Sequence, residues 1–265
     1  MKKRILCLRV LLLACAGLTI AGGAPVSRKI DFRPYLANQP WLQQIGMPDT
    51  LALPESDLIV AVVDIDIDVS HPCLKDKIIP SDFRAKEAIF PEKIAGFGHG
   101  TAVASIIVAE SPDMIGIAPN IRILPVCLGL PNPEGFEDIA TSYFKLTPAE
   151  FIKMLKDPEQ KKIFMEFGKA RNVILHENVG AAIKYAADHG AGLINLSLVT
   201  FEHPAVKEAV EYASARGAVL IAGSGNGAKS PVTHPAMYSD TIAVGGVNEK
   251  DEWWFTEQKL SLIHI

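Results

Sequence analysis

Apolar positions along the chain fall into two patterns, unbroken runs and helical stripes, and the two alternate. Residues 58–64, "LIVAVVD", are a continuous apolar run closed by an acid, the pattern of a strand buried on both faces. "HGTAVASIIVAE" at 99–110 sets Val103, Ile106 and Ile107 at helical spacing, which predicts a helix with those three as its apolar stripe. "IRILPVCLG" reads as the next strand. The clearest unit is "GLINLSL", then "PAVKEAVEYASARG", then "AVLIAGSGN". In its helix Pro204 suits the first position, Val206, Ala209, Val210 and Ala213 form one stripe, and Gly217 ends it. Strand, helix and strand in that order make a parallel crossover unit, and "TIAVGGV" adds a further strand. The fold class expected is α/β, a mostly parallel central sheet with helices on both faces, left incomplete toward the C-terminus.

Between 130 and 179 the texture changes to Pro-punctuated and charged. "TPAEFIKMLK" carries Thr147, Pro148 and Glu150 as a capping box, and "DPEQKKIFMEFG" repeats the device with Asp157, Pro158 and a closing Gly168. The pattern predicts a helical insert at 130–179 made of two short surface helices.

The first residues set Lys2, Lys3, Arg4 and Arg9 before an apolar stretch at 10–21, with small residues at Ala21 and Gly23. This predicts an export signal at 1–23, since the stretch falls short of the roughly 20 apolar residues of a bilayer span. A secreted or otherwise extracytoplasmic protein without a stable membrane span follows; a lipid anchor at Cys15 is the alternative. An N-terminal segment at 24–57 then precedes the main domain at 58–254. The last six residues, "LSLIHI" at 260–265, read as a translated sequencing-library adapter.

Composition narrows the partners. With 265 residues, 49% hydrophobic and 21% charged, the chain can bury a large core. A net charge of −4 offers no basic stripe, so nucleic acid is excluded as a partner. A monomer is expected. Removing 1–23 leaves Cys73 and Cys127, for which a disulfide is chemically permitted outside the cytoplasm but not fixed by sequence.

Three chemistries compete. "GSGNGAKS" at 223–230 departs from a phosphate-binding P-loop only at Ala228, but Pro231 and Pro235 disfavour the helix that a phosphate needs. "DIDID" places Asp64, Asp66 and Asp68 as in a calcium loop, yet Val69 and Lys75 stand where glycine and glutamate belong. The third reading puts Asp64 at the carboxyl end of a buried strand, where open α/β sheets hold their ligands. His99, between Gly98 and Gly100 at a helix start, is then an oriented base, and Asn226 is a side-chain amide donor at a neighbouring strand end.

"VAVVDIDIDVSHP", "GHGTAVAS", "GIAPNIRILPVCLG", "GLINLSL" and "AVLIAGSGN…HPAMYSDTIAVGGV" resemble successive blocks of the subtilisin-like serine peptidases, in that family's order. The resemblance implies that Asp64 orients the imidazole, His99 is the general base, and Asn226 is the oxyanion-hole donor. It implies also that Ser197, Leu198 and Gly225 line a cleft for a polypeptide substrate. No cofactor is required for such chemistry; structural calcium is common in the family, but Cys73 occupies a usual ligand position.

Other positions depart from the pattern. Asp66 adds a second carboxylate beside Asp64, and Val199 replaces a glycine and narrows the first specificity pocket. Residues 24–57 are short for a folding prodomain unless "QPWLQQIG" already begins the catalytic domain. No "GTSMA"-like serine block occurs in the 265 residues. The expectation is therefore a secreted serine endopeptidase represented by a fragment without its nucleophile, inactive as written. A binding protein built on a dead peptidase domain is the alternative, and a P-loop nucleotide binder is the remote one.

Overall fold

A computed structural model describes residues 27–65, 67–85, 98–128, 150, 153, 156–225 and 232–252. Strand β1 (Ser27–Asp31), helix α1 (Trp41–Gln44) and strand β2 (Thr50–Pro54) form an N-terminal unit, β1 and β2 pairing antiparallel. The main sheet holds β3 (Ile59–Asp64), β4 (Arg122–Cys127), β5 (Leu193–Leu196), β6 (Val219–Gly223) and β7 (Thr241–Val244). Its order is β4-β3-β5-β6-β7, and every neighbouring pair is parallel.

Helices α2 (His99–Val108), α3 (Pro158–Asp188) and α4 (Pro204–Ala215) cover the two faces. Because side chains alternate along a strand, β3 sends Ala61 and Val63 into one core with α3 and α4, and Val60 and Val62 into the other with α2. Burying each such aliphatic side chain is worth about 1.5–3 kcal/mol against exposure, so β3 is the spine of both cores. The expected α/β class with helices on both faces is what forms.

Two expectations are corrected. The buried face of α2 is Gly100, Thr101, Ala104, Ser105 and Val108, whereas Ile106 is 45% exposed and Val103 and Ile107 are only partly covered. Ala104 and Val108 pack with Val60 and Val62 of β3, and the chain returning after α2 runs against its last turn, where a Cβ on Gly116 would lie 2.5 Å from the Ile107 carbonyl oxygen. The second correction concerns the insert, since the helix from Pro158 does not stop at Gly168 but runs unbroken to Asp188. A mid-helix glycine costs only about 1 kcal/mol, and the turns beyond it bury Val179, Ala182, Ile183 and Ala186. Gly180 lets α3 approach α4, because a Cβ there would sit 2.6 Å from the Ala205 carbonyl oxygen. Of the other short helix only Glu150, Lys153 and Lys156 are described, all helical; Thr147 and Pro148 lie outside.

The N-terminal unit has its own core of Phe32, Leu42, Met47 and Leu53, closed by Ile115 from the segment after α2. Gln39, 5% exposed, clasps that segment: its Nε2 donates to the Ile115 carbonyl and its Oε1 accepts the Ile115 N–H, both at 2.9 Å. Glu110 accepts from Arg28 on one side and from Lys77 at 3.0 Å on the other. The Arg28 hydrogen bond, then those of Lys77, hold the Glu110 carboxyl below its ordinary range.

Candidate active site

The sheet order itself creates the site. From β3 the chain crosses by α2 to β4 and returns by α3 to β5 on the other side of β3, so a crevice opens beyond the carboxyl ends of β3 and β5. Asp64 is the last residue of β3 and only 2% exposed. Its carbonyl accepts the Leu128 N–H at 2.8 Å, and its Oδ1 accepts the Ile65 N–H at 2.8 Å. His99 opens α2 directly after Gly98, whose φ of 60° lies in the left-handed region that glycine adopts without strain.

These two elements bring His99 Nδ1 to 2.9 Å from Asp64 Oδ1 and 3.0 Å from Oδ2. An ionised carboxylate only accepts, so Nδ1 carries the hydrogen, and in the neutral ring Nε2 is then the nitrogen with the lone pair. That is the tautomer a general base requires. Burial would make an unpaired carboxylate costly, and the imidazole N–H and the Ile65 amide offset that. The pair is pinned at a second point, because Thr101 on the first turn of α2 accepts the Asp68 N–H at 2.7 Å. The side chain of His99 keeps 40% of its surface exposed, so a reactant can reach it.

The acidic run does not converge on an ion among the described residues. Asp68 turns to Ser70, accepting from its hydroxyl at 2.6 Å and its amide at 2.9 Å, and these bonds lower its pKa. Asp66 lies outside the described residues. At Cys73 the thiol stands 3.6 Å from the Ser111 hydroxyl, and sulfur is not a ligand that calcium takes. Cys73 and Cys127 are both free thiols, and the permitted disulfide is not formed.

On the other side of the crevice, Val62 pairs with Asn195 and Leu196 with Ala222, so the ends of β3, β5 and β6 make one edge. Ser197 accepts from Asn195 Nδ2 at 3.0 Å, Leu198 rests against the core, and Val199 is 52% exposed. Thr200 N–H then donates to the His234 carbonyl. Beyond β6, Ser224 N–H donates to Val244 O at 2.9 Å and Thr233 N–H to Ser224 O at 3.1 Å. Gly225 follows with a φ of 101°, and a Cβ there would lie 2.8 Å from Thr233 Oγ1. Asn226 lies outside the described residues. A P-loop needs a helix after Lys229, and residues 232–240 hold none. Sequence reasoning passed over Thr101, Thr233 and His234, although all three stand inside or beside the quoted blocks.

A family model for the subtilases, peptidase S8, matches residues 55–261. The chain belongs to the subtilase family. It is 34% identical over 197 residues to a thermophilic serine proteinase of Bacillus sp. (strain AK1), covering 72% of this chain and 39% of that protein. It is 28% identical over 228 residues to fervidolysin of Fervidobacterium pennivorans, covering 82% of this chain and 28% of that protein. With thermitase of Thermoactinomyces vulgaris the identity is 28% over 230 residues, covering 82% of this chain and 67% of the relative. The chain thus spans well under half the length of the first two. Among solved structures, the protease domain of PatA in its self-cleaved form superposes with a TM-score of 0.50 at 22% identity, over 78% of this chain and 64% of that one. The epidermin leader peptide processing serine protease of Staphylococcus aureus gives 0.51 at 17%, over 74% and 48%. Both share the subtilase fold. No helix among the described residues is long and apolar enough to cross a membrane.

Proposed function

We propose that the protein is a secreted serine endopeptidase whose nucleophilic serine is contributed by sequence outside these residues. The observation that carries this reading is the buried Asp64 carboxylate holding His99 Nδ1 at 2.9 Å. In the reaction, His99 Nε2 takes the serine hydroxyl proton as the oxygen attacks the peptide carbonyl, and Asp64 stabilises the imidazolium. The imidazolium then protonates the leaving amine, and water releases the acyl-enzyme. Asn226 donates to the oxyanion, while Ser197, Leu198 and Gly225 line the cleft for the polypeptide. The serine-peptidase names of the relatives support the substrate class, and the signal at 1–23 supports export.

The test is a fluorophosphonate probe. In the full-length gene product it is expected to label one serine beyond the residues given, and His99→Ala is expected to abolish labelling; the 265-residue chain alone is expected to stay unlabelled. A full-length product with no reactive serine would instead identify a binding protein on a dead peptidase domain. Labelling of a serine within the present chain would overturn the assignment of the nucleophile.

A further inference from the structure

A second histidine cluster stands beside the crevice, and the chemistry above does not use it. His176 on α3 is 3% exposed, and its Nε2 accepts the Phe201 N–H at 2.9 Å. As an acceptor, that nitrogen carries no hydrogen, so the ring is neutral with its hydrogen on Nδ1. The ring stacks on His203 at 5.0 Å between centroids, with the planes 15° apart. His203 in turn caps α4 by accepting the Ala205 N–H, and its own N–H donates to the Tyr238 hydroxyl at 3.2 Å.

What this holds is the loop that continues the cleft strand. Val199 is 52% and Phe201 69% exposed, while Thr200 between them is buried and the Phe201 ring stands 6.0 Å from that of His176. Two main-chain N–H groups fix the loop, that of Thr200 donating to the His234 carbonyl and that of Phe201 to the His176 ring. An exposed valine and phenylalanine two residues apart, on backbone fixed from beneath, make an apolar rim.

Resting on the reading of Ser197 and Leu198 as cleft residues, we infer that His176 is a positioning residue that sets this rim to receive an apolar side chain of an extended peptide. It touches no reacting atom. It acts through the Phe201 amide, and a side chain of equal bulk without an acceptor should not replace it.

The test uses the full-length gene product carrying His99→Ala, so that peptide is bound and not cut. Binding of a fluorescein-labelled leucine- and alanine-containing hexapeptide is measured by anisotropy, and exchange of the Phe201 amide by mass spectrometry. His176→Phe keeps the bulk and removes the acceptor. It is expected to weaken binding about 10-fold and to speed Phe201 exchange by a similar factor, because the Phe201 amide loses the hydrogen bond that fixes the loop. His176→Gln, whose amide oxygen can accept the same hydrogen, is expected to restore both to within about 3-fold. Unprotected exchange of Phe201 in the His176-containing protein overturns the inference even if His176→Phe does not fold. So does binding that is equal in all three proteins, or a glutamine no better than phenylalanine. If the protein with His176 intact binds no hexapeptide, the cleft assignment falls first and the inference with it.

Discussion

The crevice has two corners, and they are held by different means. At the Asp64 corner the geometry resides in side chains: a buried carboxylate, an imidazole at a helix start and the Thr101 hydroxyl, joined by specific donors and acceptors. At the Gly225 corner it resides in the main chain, through hydrogen bonds of Ser224 with Val244 and Thr233 and of Thr200 with His234, and a backbone angle that only glycine takes comfortably. The first corner is thus sensitive to chemical identity at constant shape. The second is sensitive to shape at constant chemistry.

Substitutions can separate the two. The largest effect is expected from Asp64→Asn in the full-length protein, which keeps the shape but offers His99 the wrong tautomer. Peptide turnover should fall about 10⁴-fold, as in serine-peptidase triads generally, with little change in melting temperature. A melting temperature that collapses together with activity would show this corner to be structural first.

Gly225→Ala should do the reverse. It adds a methyl 2.8 Å from Thr233 Oγ1 at a φ of 101°, so a loss of about 1–3 kcal/mol is expected from denaturant unfolding. Combining it with Thr233→Ala should recover only the contact and leave the backbone strain. Full recovery would mean that glycine serves space alone.

Thr101→Val is nearly isosteric and leaves the Asp68 amide without its acceptor. A cost of about 1–2 kcal/mol is expected, with an accompanying fall in turnover because the hydroxyl ties the turn after β3 to the helix that carries His99. An equal cost without loss of turnover would confine Thr101 to stability.

The smallest effect belongs to the N-terminal unit, joined to the domain partly by charge. Glu110 has its carboxyl lowered in the folded state by Arg28 and Lys77, so the stability it contributes is present above its ordinary value of 4.5 and is lost as pH falls through the lowered one. Glu110→Gln should lower the melting temperature slightly at neutral pH, converge with the parent protein in acid, and so flatten the acid limb of the profile below about pH 4.5. An acid limb of unaltered slope would assign that sensitivity elsewhere.

The strands and α4 were legible because each is local, and Asp64 and His99 were picked out singly because each stands in a dense motif. "LIVAVVD" can hardly be anything but a buried strand, and "GHGTAV" couples a left-handed glycine to a helix start. The inward face of α2 and the length of α3 were not legible. Both depend on what lies opposite: β3 takes Ala104 and Val108 of α2 into the core with Val60 and Val62, and the core under Val179 and Ile183 carries α3 past Gly168. The roles of Thr101 and His176 were hidden for the same reason, as their partners Asp68 and Phe201 are 33 and 25 residues away.

By itself, then, the sequence determined the α/β class and the family, and singled out Asp64 and His99 as candidates, because hydrophobic period and motif are properties of neighbouring residues. Tertiary structure decided which face of α2 is buried, that Asp64 meets His99 at hydrogen-bonding distance, and that His176 reaches the loop after β5. Those outcomes follow from packing and from the need of buried polar groups for partners, and both are settled only when distant segments come into contact.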